Sequence, residues 1–443
     1  MSKILKGRTE MKKRIIPFIL MLSLILTTAC MSQTVLATHN DAGMSEAEIN
    51  HHAGREHARW LAAISVQIDS EFVEFEDQRP TIVDDRTLVP VRGVFEHVGF
   101  NVDWNPISQQ ATLTSDDFEV ILTIGSAEFT TNGVAHTLDV PAQIINDRTM
   151  LPIRAVMESV GYYVGWDGRS RTVLISSTPM TYVTIRGEQL NTAIMGLVLD
   201  FDQMTNEEFA LIAQLTNLTH LWIGDSQVCD LTPIAELTSL VELSVQGAIA
   251  SDLTPLTGLT NLTWLSIFGN HISDITPLTN LTNLTHLEIA DTQLSDISPL
   301  SNLKNLTTLD VTTAQISNIT PLANLTNLEA LSLRHNQIVD LAPLANLTNL
   351  NSLGLNDNQI SDLAPIANLT NLRSLGLGNN QIVDLASLSN LPDLGFLCLN
   401  YNQISDLSPL AGMTSLWSVD LYENPVTDWS PVAHVQWVSG RPE

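Results

Sequence analysis

Positive charge is scarce in this chain. Lysine and arginine number 20 against 48 aspartates and glutamates, a formal charge of −28 over 443 residues. Beyond residue 37 Lys304 is the only lysine. Such an excess repels polyphosphate backbones and anionic headgroups, which argues against nucleic acid as a partner. Cysteine is almost missing. Apart from Cys30, only Cys229 and Cys398 occur, and eight strand spacings, about 38 Å, separate them if the periodic stretch that holds both is a stack. That distance excludes a shared disulfide or metal site. After the apolar run at residues 15–26 there is no second stretch of about 20 apolar residues, hence no later segment to thread a membrane. The sequence also lacks G-x-S-x-G, H-E-x-x-H, a phosphate-binding loop and a dinucleotide fingerprint, so neither enzyme chemistry nor a cofactor is expected.

What is present is repetition. A 22-residue phrase restarts ten times, its opening leucine at Leu218, Leu240, Leu262, Leu284, Leu306, Leu328, Leu350, Leu372, Leu394 and Leu416. The clearest copy runs Leu350, Leu353, Leu355, Asn358, Ile360, Asp362, Leu363, Pro365, Ile366, Leu369, which matches the leucine-rich-repeat template. One copy cannot bury its own leucines. Each coil must dock on the next, giving a continuous core and a parallel sheet along one face.

The polar positions have physical roles too. Eight residues into the phrase stands Asn in six copies (Asn270, Asn336, Asn358, Asn380, Asn402, Asn424), where an amide can both donate to and accept from turn backbone leaving the sheet. Ser226, Ala248, Thr292 and Ala314 depart from it. Alanine cannot satisfy those groups, so water or looser turns are expected beside Ala248 and Ala314. Twelve residues in stands Asp in nine copies, from Asp230 to Asp428, and Asn318 in the other. An acid ahead of a Pro-initiated turn caps its free N–H groups. Calcium is the competing use of such a ladder, but no copy carries the D-x-D-x-D oxygen set of a dedicated loop.

With its D-L-x-P-L segment, this repeat resembles the internalin-like class of bacterial leucine-rich-repeat proteins over roughly the last 260 residues. The resemblance covers the approach as well: Ile194, Leu197 and Leu199 mimic a first strand, and residues 205–215 read as a capping helix opened by a Thr205 to Glu208 capping box. It implies extracellular protein recognition through a concave sheet.

A second, independent repetition lies upstream. Asp85-Arg86-Thr87-Leu88-Val89-Pro90-Val91-Arg92, then Glu96, Gly99 and Trp104, recurs 62 residues later as Asp147-Arg148-Thr149-Met150-Leu151-Pro152-Ile153-Arg154, then Glu158, Gly161 and Trp166. Alternating apolar runs at residues 72–75, 111–113, 120–124 and 172–175 predict strands, and residues 91–98 and 153–160 predict short helices. The pattern resembles the copper amine oxidase N-terminal-like domain, a small α+β module found in tandem in secreted proteins of Gram-positive bacteria. Copper chemistry is not implied. The chain lacks both the Asn-Tyr-Asp/Glu setting of the quinone cofactor and a His-x-His pair. Arg86, Arg92, Arg148 and Arg154 are expected to be structural, each bonding a carboxylate or turn carbonyl such as that of Glu96 or Glu158; a sugar-binding role is the alternative.

At the N-terminus, Met11-Lys12-Lys13-Arg14 precedes the apolar run, the pattern of a secretion signal. Cleavage after Ala37 competes with a lipoprotein-type exit that would place a lipid anchor on Cys30. The expected plan is a signal peptide at 1–37, a linker at 38–63, the module of two 62-residue halves at 64–177, a solenoid N-terminal cap at 178–215, and ten repeats with a C-terminal cap at 216–443. In the linker, His51, His52 and His57 read as solvated rather than as metal ligands. The fold class is an α+β module followed by a leucine-rich-repeat solenoid, with a parallel sheet on the concave face and short turns and 3-10 segments on the convex face.

Strand positions two, four and six residues into each phrase alternate away from the leucines, so large apolar groups there lack a core role. Trp222, Trp264 and Phe268 gather over copies one to three, flanked by His220, Glu242, Gln246, His286 and Glu288. Phe396 and Tyr422 mark the far end, with Tyr401 and Trp417 at its margins. Exposed aromatics on a sheet are the usual anchors of an interface. Trp222, Trp264, Phe268, His220, Glu242, Glu288, Phe396 and Tyr422 are therefore the candidate contacts. The expected partner is an extracellular protein of a host or bacterial surface, with a cell-wall glycan as the alternative, for a secreted or surface-held, non-enzymatic protein.

Overall fold

A computed structural model of the chain describes residues 64–69, 71–168, 170–200, 204–224, 228–247, 250–269 and 271–441. The expected leader, Cys30, the linker histidines, Ser226, Ala248 and Asn270 lie outside the described residues. The described residues fall into two compact units, 64–198 with 207–221, and 199–206 with 222–441.

The N-terminal module builds its two halves around one strand pair. Arg86–Pro90 runs antiparallel to Arg148–Pro152 with Leu151 opposite Val89, and each strand carries an outer neighbour, Thr81–Val83 or Gln143–Ile145. Because the two central strands are copies of one sequence, the pairing gives the module an approximate two-fold axis. The arginines obey it. Arg86 pairs with Asp139 at 3.0 Å and Arg148 with Asp77, and Asp77 and Asp139 are themselves 62 residues apart, so each half's arginine is held by the other half's acid. Arg92 makes the expected pair with Glu96 at 3.4 Å and donates to the Val102 carbonyl at 3.2 Å. The copy does not repeat this: no Arg154–Glu158 pair forms among the described residues, and Arg154 is exposed.

The helices form at Val91–His97 and Ile153–Ser159, each starting directly after a proline that ends the strand. They bury Val91, Val94 and Phe95, and Ile153, Val156 and Met157, against a shared core. The halves differ in their sheets. Asn101–Asn105 opens a five-stranded antiparallel meander that ends at Val134–Thr137. In the second half, Thr172–Ser176 instead accepts the first strand of the module, Ser65–Ile68, in parallel register. Of the run expected at residues 72–75, only Glu71–Phe72 is strand; Phe75 packs on the core from an irregular segment. The hairpin Tyr182–Ile185 with Glu188–Asn191 is in the same compact unit as residues 64–177. Met180 and Tyr182 fill the space left by the missing side chain of Gly165, and Gln67 Nε2 donates to the Ala193 carbonyl at 2.5 Å.

The solenoid follows its periodicity. A 12-stranded parallel sheet runs from Gly196–Asp200 to Trp437–Ser439, one strand beyond the ten copies at each end. Leu350, Leu353, Leu355, Ile360, Leu363, Ile366 and Leu369 are at most 2% exposed, and their counterparts repeat the pattern. Burying each is worth about 1.5 to 3 kcal/mol. The expected capping helix breaks into an α-turn at Asn206–Phe209 and a 3-10 turn at Ala210–Gln214. Opposite the sheet, 3-10 turns such as Ala364–Ile366 open on proline. Their free N–H groups find the aspartates: Asp362 Oδ1 accepts from Ala364 N at 2.9 Å, and Asp230, Asp252, Asp274, Asp296, Asp340, Asp384, Asp406 and Asp428 do the same in their copies, as does Asn318. These bonds, with those to the Thr or Ser two residues on, hold Asp230, Asp252, Asp274, Asp406 and Asp428 below the usual carboxylate range.

Two asparagine ladders lock coil to coil. Asn358 Oδ1 accepts from Ile338 N in the preceding coil at 2.9 Å, while Nδ2 donates to the carbonyls of Leu333, Leu355 and Asn356. Asn336, Asn380, Asn402 and Asn424 repeat this in register. The residue just before the ladder is left-handed in each described copy, with φ of +59° at Asp357, +55° at Tyr401 and +54° at Thr313. Ala314 does not loosen its turn, contrary to expectation. Thr313 keeps both its φ and a 3.0 Å bond to the Arg334 carbonyl, because backbone from the next coil holds it. The second ladder uses the asparagine that precedes most of the opening leucines: Asn349 Nδ2 reaches the Thr326 carbonyl at 2.8 Å, and Asn261, Asn283, Asn305, Asn327 and Asn371 act alike.

Candidate partner-binding face of the solenoid

In parallel strands, registered residues project from the same face, so the sheet presents rows. One row reads Glu242, Trp264, His286, Thr308, Ala330, Ser352, Ser374, Phe396, Ser418, Trp437, and the adjacent one Ser244, Ser266, Glu288, Asp310, Ser332, Gly354, Gly376, Cys398, Asp420, Ser439. The intervening residues, such as Leu265 and Ile267, are 0% and 1% exposed in the core. Trp264 and Phe268 are half-buried on the opposite side from that core, Trp264 between Glu242 and His286 and Phe268 between Gln246 and Ala290. Trp222 is half-buried in the strand His220–Gly224, where His220 Nδ1 lies 2.8 Å from Thr219 Oγ1.

Burial shapes the electrostatics of this end. Glu242 is pushed up by desolvation, and His286 falls to about 4, leaving it neutral at pH 7. Glu288 rises to about 7, first from burial and then from Asp310, its registered neighbour of like charge, against a bond from Ser266 Oγ at 2.9 Å. Burial also raises Asp310, which Thr312 partly offsets by donating to it. A carboxyl raised on folding contributes stability that is complete below its unfolded value near 4.5 and fades as pH rises through about 7. Glu288→Gln keeps an acceptor for Ser266 and removes the charge. The variant is expected to exceed the parent by about 1 to 2 kcal/mol at pH 8, after discounting for partial exposure, and to match it at pH 4, in guanidinium titrations at both values. A parent that is equally stable relative to the variant at both pH values sinks this assignment.

The far end differs from expectation. Phe396 is 7% exposed rather than bare, packed with Cys398 and 6.2 Å from the Trp417 ring, because Gly395 lets the indole lie against the backbone. Tyr422 is half-buried and meets Tyr401 edge-on at 5.6 Å. Trp417, Tyr401 and Trp437 are the exposed groups there, at 48%, 49% and 62%. Between the two ends the two rows carry mostly small residues, such as Ala330, Ser332, Ser352, Gly354, Ser374 and Gly376. A Cβ on Gly376 would meet Asn356 Oδ1 at 2.2 Å, and one on Gly378 would meet Asn400 Oδ1 at 2.1 Å.

Comparison with known proteins places both parts of the chain. The copper amine oxidase N-terminal domain profile matches residues 67–175, covering only that N-terminal domain of the enzyme family. A profile of two leucine-rich repeats matches residues 260–300, 282–324, 326–368, 348–391 and 370–412. No curated protein matches. Among solved structures, an internalin, inlF, from Listeria monocytogenes is 37% identical over 57% of this chain and 76% of its own, with a TM-score of 0.54. Internalin C2 from the same species is 42% identical over 42% of this chain and 83% of its own, with a TM-score of 0.41. The ectodomain of the Arabidopsis thaliana receptor kinase GASSHO1/SCHENGEN3, solved with Casparian strip integrity factor 2, is 22% identical over 53% and 31%, with a TM-score of 0.48. With its 22-residue coils, 12-stranded parallel sheet and this identity to internalins, the chain belongs to the internalin-like leucine-rich-repeat proteins and carries a copper amine oxidase N-terminal domain ahead of its solenoid.

Proposed function

We propose that this is a secreted or surface-held, non-enzymatic recognition protein that grips an extracellular protein through the sheet face of its solenoid, with the N-terminal module as stalk or wall-proximal spacer. The observation that carries the reading is the placement of Trp222, Trp264 and Phe268 on strand positions outside the leucine core, each with part of its surface open. A tryptophan at a strand position outside the leucine core is, in an interface, a strong anchor. His220, Glu242 and Glu288 surround these rings, with an acidic balance that suits a partner surface rich in lysine or arginine.

The reading is tested with a photo-reactive phenylalanine analogue placed at position 268 on the sheet face, or at Val339, an exposed residue outside the strands. Incubated with extracellular host and bacterial surface proteins, the sheet-face probe is expected to crosslink a discrete protein that the Val339 probe does not. Identical products from both positions refute recognition at this face.

A further inference from the structure

The module's second half uses both faces of its sheet. Val66, Ile68, Val173 and Ile175 turn toward the core, while Gln67, Leu174 and Ser176 turn the other way, toward a cleft of about 400 Å3 beneath the hairpin Tyr182–Ile185 with Glu188–Asn191. Its floor holds a side chain that the fold leaves unfinished. Asn191 is 4% exposed. The Ala193 N–H donates to its Oδ1 at 2.8 Å, which fixes the amide orientation and leaves Nδ2 without a partner among the described residues. A buried orphan donor costs about 1 to 3 kcal/mol, and nothing in the hairpin pairing requires an amide there.

The lining says what would complete it. Amides from Gln67 and Asn217 and hydroxyls from Thr178 and Thr192 converge with one carboxylate, Asp69, and no lysine, arginine or histidine. An anionic ligand would meet Asp69 with no cation to balance it. A neutral polyhydroxylated ring offers an acceptor for Asn191 Nδ2 and donors for Asp69 and the threonines. Two half-exposed tyrosines stand beside lining residues without themselves lining the cleft, at 45% for Tyr163 and 51% for Tyr182. Tyr163 registers with Ser176 and Tyr182 with Asn191, so both rings project from the strand faces that line it. Aromatic rings offer an apolar face and a polar tip, the match for the C–H face and hydroxyl rim of a sugar. We propose that this cleft binds a neutral saccharide unit. The assignment concerns the module alone and does not depend on what the solenoid grips.

Saturation-transfer NMR and calorimetry on the full chain, with chitotriose, cellotriose and maltotriose each at about 10 mM, test it. At least one is expected to bind. Asn191→Asp keeps the acceptor for Ala193 and deletes the orphan donor; Tyr163→Ala removes an exposed ring in register with the lining residue Ser176 and leaves the core alone. Each is expected to weaken binding about ten-fold or more. Should Asn191→Asp fail to fold, Tyr163→Ala carries the test by itself. Absence of transfer from all three sugars, or affinity unchanged in every variant that folds, overturns the proposal.

Discussion

Asn358→Ala is expected to lower stability by about 2 to 3 kcal/mol, measured by guanidinium titration with circular dichroism. The magnitude follows from counting which groups become orphans. The carbonyls that Asn358 serves keep other donors: Leu333 and Leu355 are also reached by Asn336 and Asn380, and Asn356 by the backbone N–H of His335. Among the described residues Ile338 N has only the Asn358 oxygen, and it belongs to a residue with no exposed surface. One buried donor is stranded, not four, and the rest of the cost is the cavity left by the amide. Asp362→Ala on the opposite side is the control, since the Ala364 N–H it frees can turn to water. Its expected cost is about 1 kcal/mol or less. Installing the missing rung by Ala314→Asn is expected to raise the melting temperature, because it supplies to the preceding coil the amide that Asn336 supplies to Ile316. Equal costs for Asn358→Ala and Asp362→Ala, together with no gain from Ala314→Asn, contradict the ladder account.

The second large effect concerns binding. Against the protein captured at position 268, Trp264→Ala is expected to reduce affinity at least about 30-fold, near 2 kcal/mol, mainly through faster dissociation. The leucines beside it are already fully buried, so the fold should survive, which circular dichroism verifies. Trp437→Ala provides the contrast. That ring is 62% exposed at the far end, where no partner contact is proposed, and its loss should change affinity less than about three-fold. A reversed ranking, with Trp437 dominant, moves the contact to the C-terminal end and refutes the choice of Trp222, Trp264 and Phe268.

Much of this was legible in the sequence because the leucine spacing is strict. A 22-residue period fixes which side chains point inward, and the aspartate and asparagine positions follow from what a turn's backbone needs. The tandem module was legible for a similar reason, since a copied strand such as Arg86–Pro90 pairs naturally with its own duplicate. What escaped is three-dimensional. The asparagine ahead of most opening leucines gives no local sign of its role until Asn349 is seen to reach the Thr326 carbonyl in the coil before it. The left-handed turn is signalled by Gly247 and Gly269, but nothing local marks Thr313 or Tyr401, which are held there by neighbouring backbone rather than by preference. Phe396 was misjudged because alternation reports the side of a strand and not what lies over it. Asn191 carried no signal, since a lone asparagine in a hairpin is ordinary until its unpaired nitrogen is found facing a cleft.

The first asparagine ladder always reaches backward: Asn336 completes Ile316, Asn358 completes Ile338, Asn424 completes Ile404. A coil is thus unfinished until its successor arrives, and the solenoid has a direction that its near-identical repeats conceal. Emerging from a ribosome, each new turn would seal the one before it while leaving its own amide open, so the growing stack is closed behind and receptive ahead. Shortening the array from its C-terminal side therefore strips a donor's partner from the coil that remains, whereas trimming from the N-terminal side removes the beneficiary together with its need.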